Sequence, residues 1–178
     1  MLVYFLATAA AALVGAAVAK QMGIAPLSIA LGAAFAFAVL EAVDAGAVKP
    51  YLGFSAFYPG HAPVTVILFA MPTKPATATA FAVLGGHVAV TLTGLAQLYL
   101  LPASMAFATK VVTVGAAVLA MKASDAVHPP AAAFALAFVG GNKGPMDAVG
   151  PLIGCATLIA CQRVWLALPE AAGKGKKA

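Results

Sequence analysis

The chain has 178 residues, 63% of them hydrophobic and 8% charged, with a net charge of +5 and a mean hydropathy of +1.03. Soluble domains carry about a quarter charged residues; so few charges exclude a soluble enzyme, a nucleic-acid-binding domain and a disordered chain. At about 20 apolar residues per span, the length allows about eight bilayer crossings at most.

Residues 2–19 form an unbroken apolar stretch ended by Lys20 and Gln21. Ala17-Val18-Ala19 imitates a signal-peptidase site, but no basic residues precede the run and it is long for a signal sequence, so it reads as a span. Residues 24–40 form a second span, ended by Glu41 and Asp44. Residues 81–101 and 103–121, separated by Pro102, form a third and a fourth, and 146–168, closed by Pro169, a fifth. Each is long enough to cross as a helix. None alternates polar with apolar as a barrel strand would. The expected fold is an all-α polytopic transmembrane bundle over residues 1–170, followed by a basic disordered tail, 171–178.

Two more apolar segments are too short to span as helices. Val64–Met71 lies between Pro63 and Pro72, and Ala131–Val139 lies between Pro130 and Gly140. Each opens on similar chemistry, His61-Ala62-Pro63 and His128-Pro129-Pro130, 67 residues apart. Each also follows a pair of full-length spans. The pattern suggests an internal repeat of span, span and Pro-initiated half-helix, with the fifth span appended. Paired, interrupted segments in corresponding halves point to a transporter's binding site. Proline suits a first helical turn, where its missing N–H has no partner to lose. A helix that starts inside the membrane aims its positive dipole end, and any free N–H groups, at an enclosed site suited to an anion. Re-entrant packing without a ligand is the alternative.

Charge sets the expected topology. If both half-helices and their extended partners cross, Lys20, Lys74, Lys122, Arg163 and the tail lysines, including Lys174, share one face. Lys49 and Lys143 then lie opposite, beside Glu41, Asp44 and Asp147. The positive-inside rule favours this arrangement, with the tail inside, and an odd number of crossings per unit makes the repeat an inverted one.

Lys110 is set well inside the fourth span, with no acid at i±3 or i±4. An intramembrane lysine is a functional candidate, here for holding an anion; the alternative is a side chain snorkelling to the headgroups. His87 follows Gly85-Gly86, His128 opens the second half-helix and His61 precedes the first. Each is a substrate-site candidate or a helix-capping group. Asp125 and Ser124 sit where they can orient His128. Gly150 and Gly154 make a small-xxx-small pattern that reads as packing, and Cys155 and Cys161 read as packing residues too. No metal-binding spacing, Walker A loop, GxSxG elbow or paired nucleophile and base appears, so neither an enzyme, a metal nor a cofactor is expected.

The stretches Val66–Pro72, Leu84-Gly85-Gly86-His87, His128–Ala133 and Gly150–Arg163 resemble the HPP family of integral membrane proteins, named for its His-Pro-Pro tripeptide. The resemblance covers about residues 50–165 and implies several membrane spans. Plastid and cyanobacterial members are implicated in nitrite transport, while many bacterial members have no assigned activity. What it implies is a small-anion transporter or channel with nitrite as the leading substrate, in a bacterial inner membrane or plastid envelope. A plastid address would need a presequence or organellar encoding. The expected substrate-binding set is His128, Pro129, Pro130, Lys110, His87, His61 and Pro63, the partners are the lipid bilayer and a small inorganic anion, and a homo-oligomer is compatible with both. The competing reading is a non-transporting assembly subunit, or one whose histidines hold a pigment or other ligand.

Overall fold

The computed structural model describes residues 1–71, 78–101, 106–140 and 145–170, with the side chains of 106, 137, 138 and 145 excepted. Among these residues the chain is helical, with no strand. α1 is Leu2–Gln21 and α2 Ala25–Leu52. The short α3 is His61–Ala70, α4 is Ala80–Leu100 and α5 Ala106–Ala123. The second short helix, α6, is Pro129–Gly140, and α7 is Val149–Leu166 after a 3-10 turn at Pro145–Ala148. Among the described residues, four helical stretches are long and apolar enough to cross a bilayer: Leu2–Gln21, Ala25–Leu52, Ala80–Leu100 and Met146–Leu166. The expected span at 103–121 begins outside the described residues; what is seen there is the 18-residue α5. Lys74, Lys143 and the tail 171–178, with Lys174, also lie outside them.

α1 is apolar on every side and buries one stripe of small residues, Ala9, Ala12, Ala16 and Ala19. In lipid, which is as apolar as a leucine side chain, helices associate through close packing of this kind. Antiparallel to it runs α2, and Ser28 donates to the Ala16 carbonyl at 3.1 Å. Contrary to expectation, Glu41 and Asp44 do not end α2. The helix passes through a π-turn at Asp44–Val48 and stops at Gly53, whose φ of +75° is a left-handed cap. The reason lies in where the charge goes. Asp44 is fully buried and accepts from Lys49 Nζ at 2.7 Å, from Ser55 Oγ at 3.0 Å and from the Ala56 N–H at 2.6 Å. A carboxylate so satisfied can stay in a membrane helix, and it anchors the segment leading to α3. Asp44→Ala is expected to cost about 1–3 kcal/mol, because the Ala56 N–H is left buried and unpaired; the melting midpoint in detergent reads this.

Two cores result. The larger packs Phe35 and Leu40 of α2, Val64, Leu68 and Phe69 of α3, and Leu158 and Trp165 of α7. The smaller packs Val90 of α4, Ala117 and Met121 of α5, and Ala131, Phe134 and Ala135 of α6. α7 touches both halves through α3 and α4. At its C-terminal end Lys20 donates to the carbonyls of Trp165, Leu166 and Leu168, satisfying groups that the helix cannot.

These contacts give the short helices their directions. Segment 53–60 enters beside the start of α7, and α3 then runs toward the Lys20 end, where Phe69 meets Trp165 and Gln162 donates to the Leu68 carbonyl. α6 starts beside Gly86 of α4 and ends with Gly140 against Lys110, near the start of α5. The two therefore leave the middle of the molecule in opposite directions. Neither is the centre of a longer helix.

Candidate functional site

Each short helix is preceded by irregular chain, and each such piece lies on a glycine pair of a long helix. On α7, a Cβ at Gly150 would meet the Ser55 carbonyl, and one at Gly154 would meet the His61 ring and the Ala56 carbonyl. On α4, a Cβ at Gly86 would meet the Ala126 carbonyl and His128 Cβ, both at 2.8 Å. Backbone without regular partners is tolerated at membrane depth only when protein encloses it. The glycines bring the long helices close enough to do that.

This seating brings the three histidines together, all fully buried. The rings of His87 and His128 lie 5.4 Å apart, and Phe134 of α6 lies 6.1 Å from His87. Tyr58 joins the halves: its hydroxyl donates to the Ala133 carbonyl at 2.9 Å, and its ring contacts those of Phe134 and His61. Cys155 Sγ is 3.5 Å from His87 Nδ1.

The histidines differ in how they are held. His61 Nδ1 accepts from the Tyr58 N–H at 3.1 Å, so the ring proton sits on Nε2 and donates to the Pro151 carbonyl at 3.2 Å. Both nitrogens are spent on holding segment 53–61 against α7. His87 is oriented the other way round. Its Nδ1–H donates to the Val83 carbonyl at 2.8 Å, and Nε2, which carries the lone pair of the neutral ring, has no protein partner among the described residues.

The remaining expected site residues divide. Pro130 is buried at the start of α6, whereas Pro129 and Pro63 are exposed. Pro63 is the third residue of α3, which begins at His61 instead. Lys110 is exposed and packs on Gly140, the far end of α6 from His128, so it is no part of the cluster. The helix starts themselves offer little to hydrogen-bond an anion. Pro129 and Pro130 have no N–H, and that of Ala131 donates to the His128 carbonyl at 3.0 Å. In α3 the N–H groups of His61 and Ala62 donate to the Tyr58 and Pro59 carbonyls, and Pro63 has none. The dipole ends remain, but donors to a ligand must come from side chains.

Two such side chains escaped the reading of the sequence. Thr91 and Thr113 are buried, with hydroxyls that meet no protein partner among the described residues. A signal was present, since Thr91 follows His87 by one helical turn, but threonine in an apolar run usually bonds its own helix, as Thr93 does to the Ala89 carbonyl. No group of three or more His, Cys, Asp or Glu side chains placed to hold a metal occurs among the described residues.

The family model described as HPP, transmembrane region, matches residues 45–172. The chain belongs to the HPP family. No curated protein and no solved structure matches it. The HPP match opens at the π-turn of α2 and takes in both irregular segments, both short helices, the three histidines and α7. With its apolar helices, this makes the protein an integral membrane protein. The tripeptide that names the family is His128-Pro129-Pro130, where the chain turns from the irregular run along Gly85-Gly86 into α6.

Proposed function

We propose that this HPP protein carries a small inorganic anion across the membrane, with nitrite the leading candidate on family resemblance. The observation that carries the reading is the meeting of two oppositely directed short helices over buried histidines, an arrangement suited to a substrate site enclosed at mid-membrane. In this reading α1–α3 and α4–α6 are inverted repeats and α7 is the appended span. Nitrite uptake into proteoliposomes, compared with protein-free vesicles, tests it: folded protein that adds nothing to the leak would sink the proposal.

A second reading, a non-transporting subunit that binds a ligand through a ring nitrogen, is favoured by His87 Nε2 alone. It requires a visible absorbance band, or another bound chromophore, to co-purify.

Lys110 takes a different place in this scheme. Exposed beside the end of α6, it is a charge at the mouth of the path, where it concentrates anions without touching the centre. Lys110→Met is expected to raise the half-saturating anion concentration about threefold to tenfold, with the maximal rate kept. An abolished maximal rate would return the lysine to the centre.

Orientation follows from charge. Lys20, Arg163 and Lys122 lie at the end where α1, α7 and α5 finish, and Lys49, paired with Asp44, lies at the other. We read the first end as cytoplasmic. Cysteines replacing Lys20 and Lys122 in a Cys155- and Cys161-free background are expected to label from the same side, and one replacing Lys49 from the opposite side. Labelling of positions 20 and 122 from opposite faces would overturn the crossing of α3 and α6.

A further inference from the structure

Within the centre of this molecule, three polar atoms are out of place by the ordinary rules of a membrane interior. His87 Nε2, Thr91 Oγ1 and Thr113 Oγ1 are buried, with residue exposures of 0%, 7% and 0%, and none has a protein partner among the described residues. Buried polar groups are nearly always paired, and in hydrocarbon an unpaired one has no water to turn to. Orphans gathered on adjoining helices mark a place where something else completes the bonding.

Their placement is coherent. His87 and Thr91 are one turn apart on the same face of α4. Thr113 is one turn from Ala117 on α5, and Ala117 belongs to the cluster of Val90 and Phe134, the latter against the His87 ring. α4 and α5 pack on each other and both pack on α6. The three groups thus line one seam between α4, α5 and α6, with His87 near the start of α6 and Thr113 farther along it, one turn from Lys110.

We propose that His87 Nε2 and the hydroxyls of Thr91 and Thr113 bind the transported species, and that they take an anion only together with one proton. This rests on the anion-carrier reading and names the form in which the substrate crosses. Because Nδ1–H is committed to the Val83 carbonyl, neutral His87 presents a lone pair, which repels an anion and accepts from a weak acid's O–H. A bare anion is held there only if His87 is itself protonated, so that Nε2–H donates. In either case the site holds one anion and one proton; the two forms differ in whether the proton sits on oxygen or on nitrogen. Both are released on the far side, and no other bond is made or broken.

Among the described residues no lysine, arginine or carboxylate is recorded against the His87 ring. Of the titratable groups facing His87, His61 of α3 has both nitrogens engaged, Cys155 of α7 is a thiol beside Nδ1, and His128 opens α6. α5 faces the seam with Thr113, and its lysines, Lys110 and Lys122, are exposed. A lone anion would carry uncompensated charge into the membrane interior, whereas an anion with its proton adds none.

The test is nitrite uptake into proteoliposomes holding a pH-reporting dye, with the membrane potential clamped by potassium and valinomycin and protein-free vesicles as baseline. Above that baseline, nitrite and protons are expected to enter together in equal amounts, at a rate indifferent to potential. His87→Gln is expected to lower both at least about tenfold, the scale of one hydrogen bond to a charged group. Thr113→Val gives an independent sign. Deleting an unpartnered buried hydroxyl should raise the melting midpoint, yet slow uptake several-fold, as no merely structural role predicts. Nitrite entry that follows the potential without protons would overturn the proposal and leave the anion-carrier reading standing. Unchanged uptake in Thr113→Val would overturn the assigned bonding set, and no uptake above baseline would take both readings down.

Discussion

Gly154→Ala is expected to destabilise the protein by about 1–3 kcal/mol, the scale of one methyl forced into a packed interior. The new Cβ would meet the His61 ring on one side and the Ala56 carbonyl on the other. A flexible side-chain tip yields cheaply, but a backbone carbonyl tied through its segment to Asp44 does not. Gly154→Leu should expel segment 53–61 from α7 and prevent a stable fold. Gly115→Ala is the control. Nothing lies within 4 Å of a Cβ there, so it should be neutral or stabilising by about 0.5–1 kcal/mol. Melting midpoints in one detergent decide the matter, and equal midpoints for the two alanine variants would refute the seating.

A second large effect separates two buried histidines that look alike in burial. His61→Ala is expected to cost on the order of 3–5 kcal/mol, since it leaves the Tyr58 N–H and Pro151 carbonyl unpaired and opens a cavity. That is a large share of an ordinary domain's stability, so the variant should scarcely accumulate in membranes. His61→Gln, whose amide can both donate and accept, should recover part of the loss. His87→Gln should accumulate and fold as the parent does, the loss expected of it on the proposed carrier reading being one of uptake alone. Normal levels and melting of His61→Ala would show that the ring is not the strut assigned to it.

Membrane class, helical fold and the two interrupted segments were legible along the chain, because each is a property of contiguous residues. An apolar run of span length has to satisfy its own backbone, and a proline-led run of half that length can only start a short helix. The end of α2 was less legible. Glu41 and Asp44 looked like a boundary because a charge in a span is costly, and whether it is paired depends on Lys49, Ser55 and Ala56, two of them beyond the helix. The small residues at Gly150 and Gly154 read correctly as a packing face, but what they pack is irregular backbone and an imidazole ring.

The sequence by itself determined that this chain is a helical membrane protein with His61, His87 and His128 set in or before its helices. Only the tertiary structure decided which histidine has both nitrogens engaged, which leaves Nε2 without a protein partner among the described residues, and that Lys110 stands apart from both. Hydrogen-bond partners far apart along the chain, such as His61 and Pro151, are chosen by packing, and packing is set by how closely glycine pairs let two backbones approach.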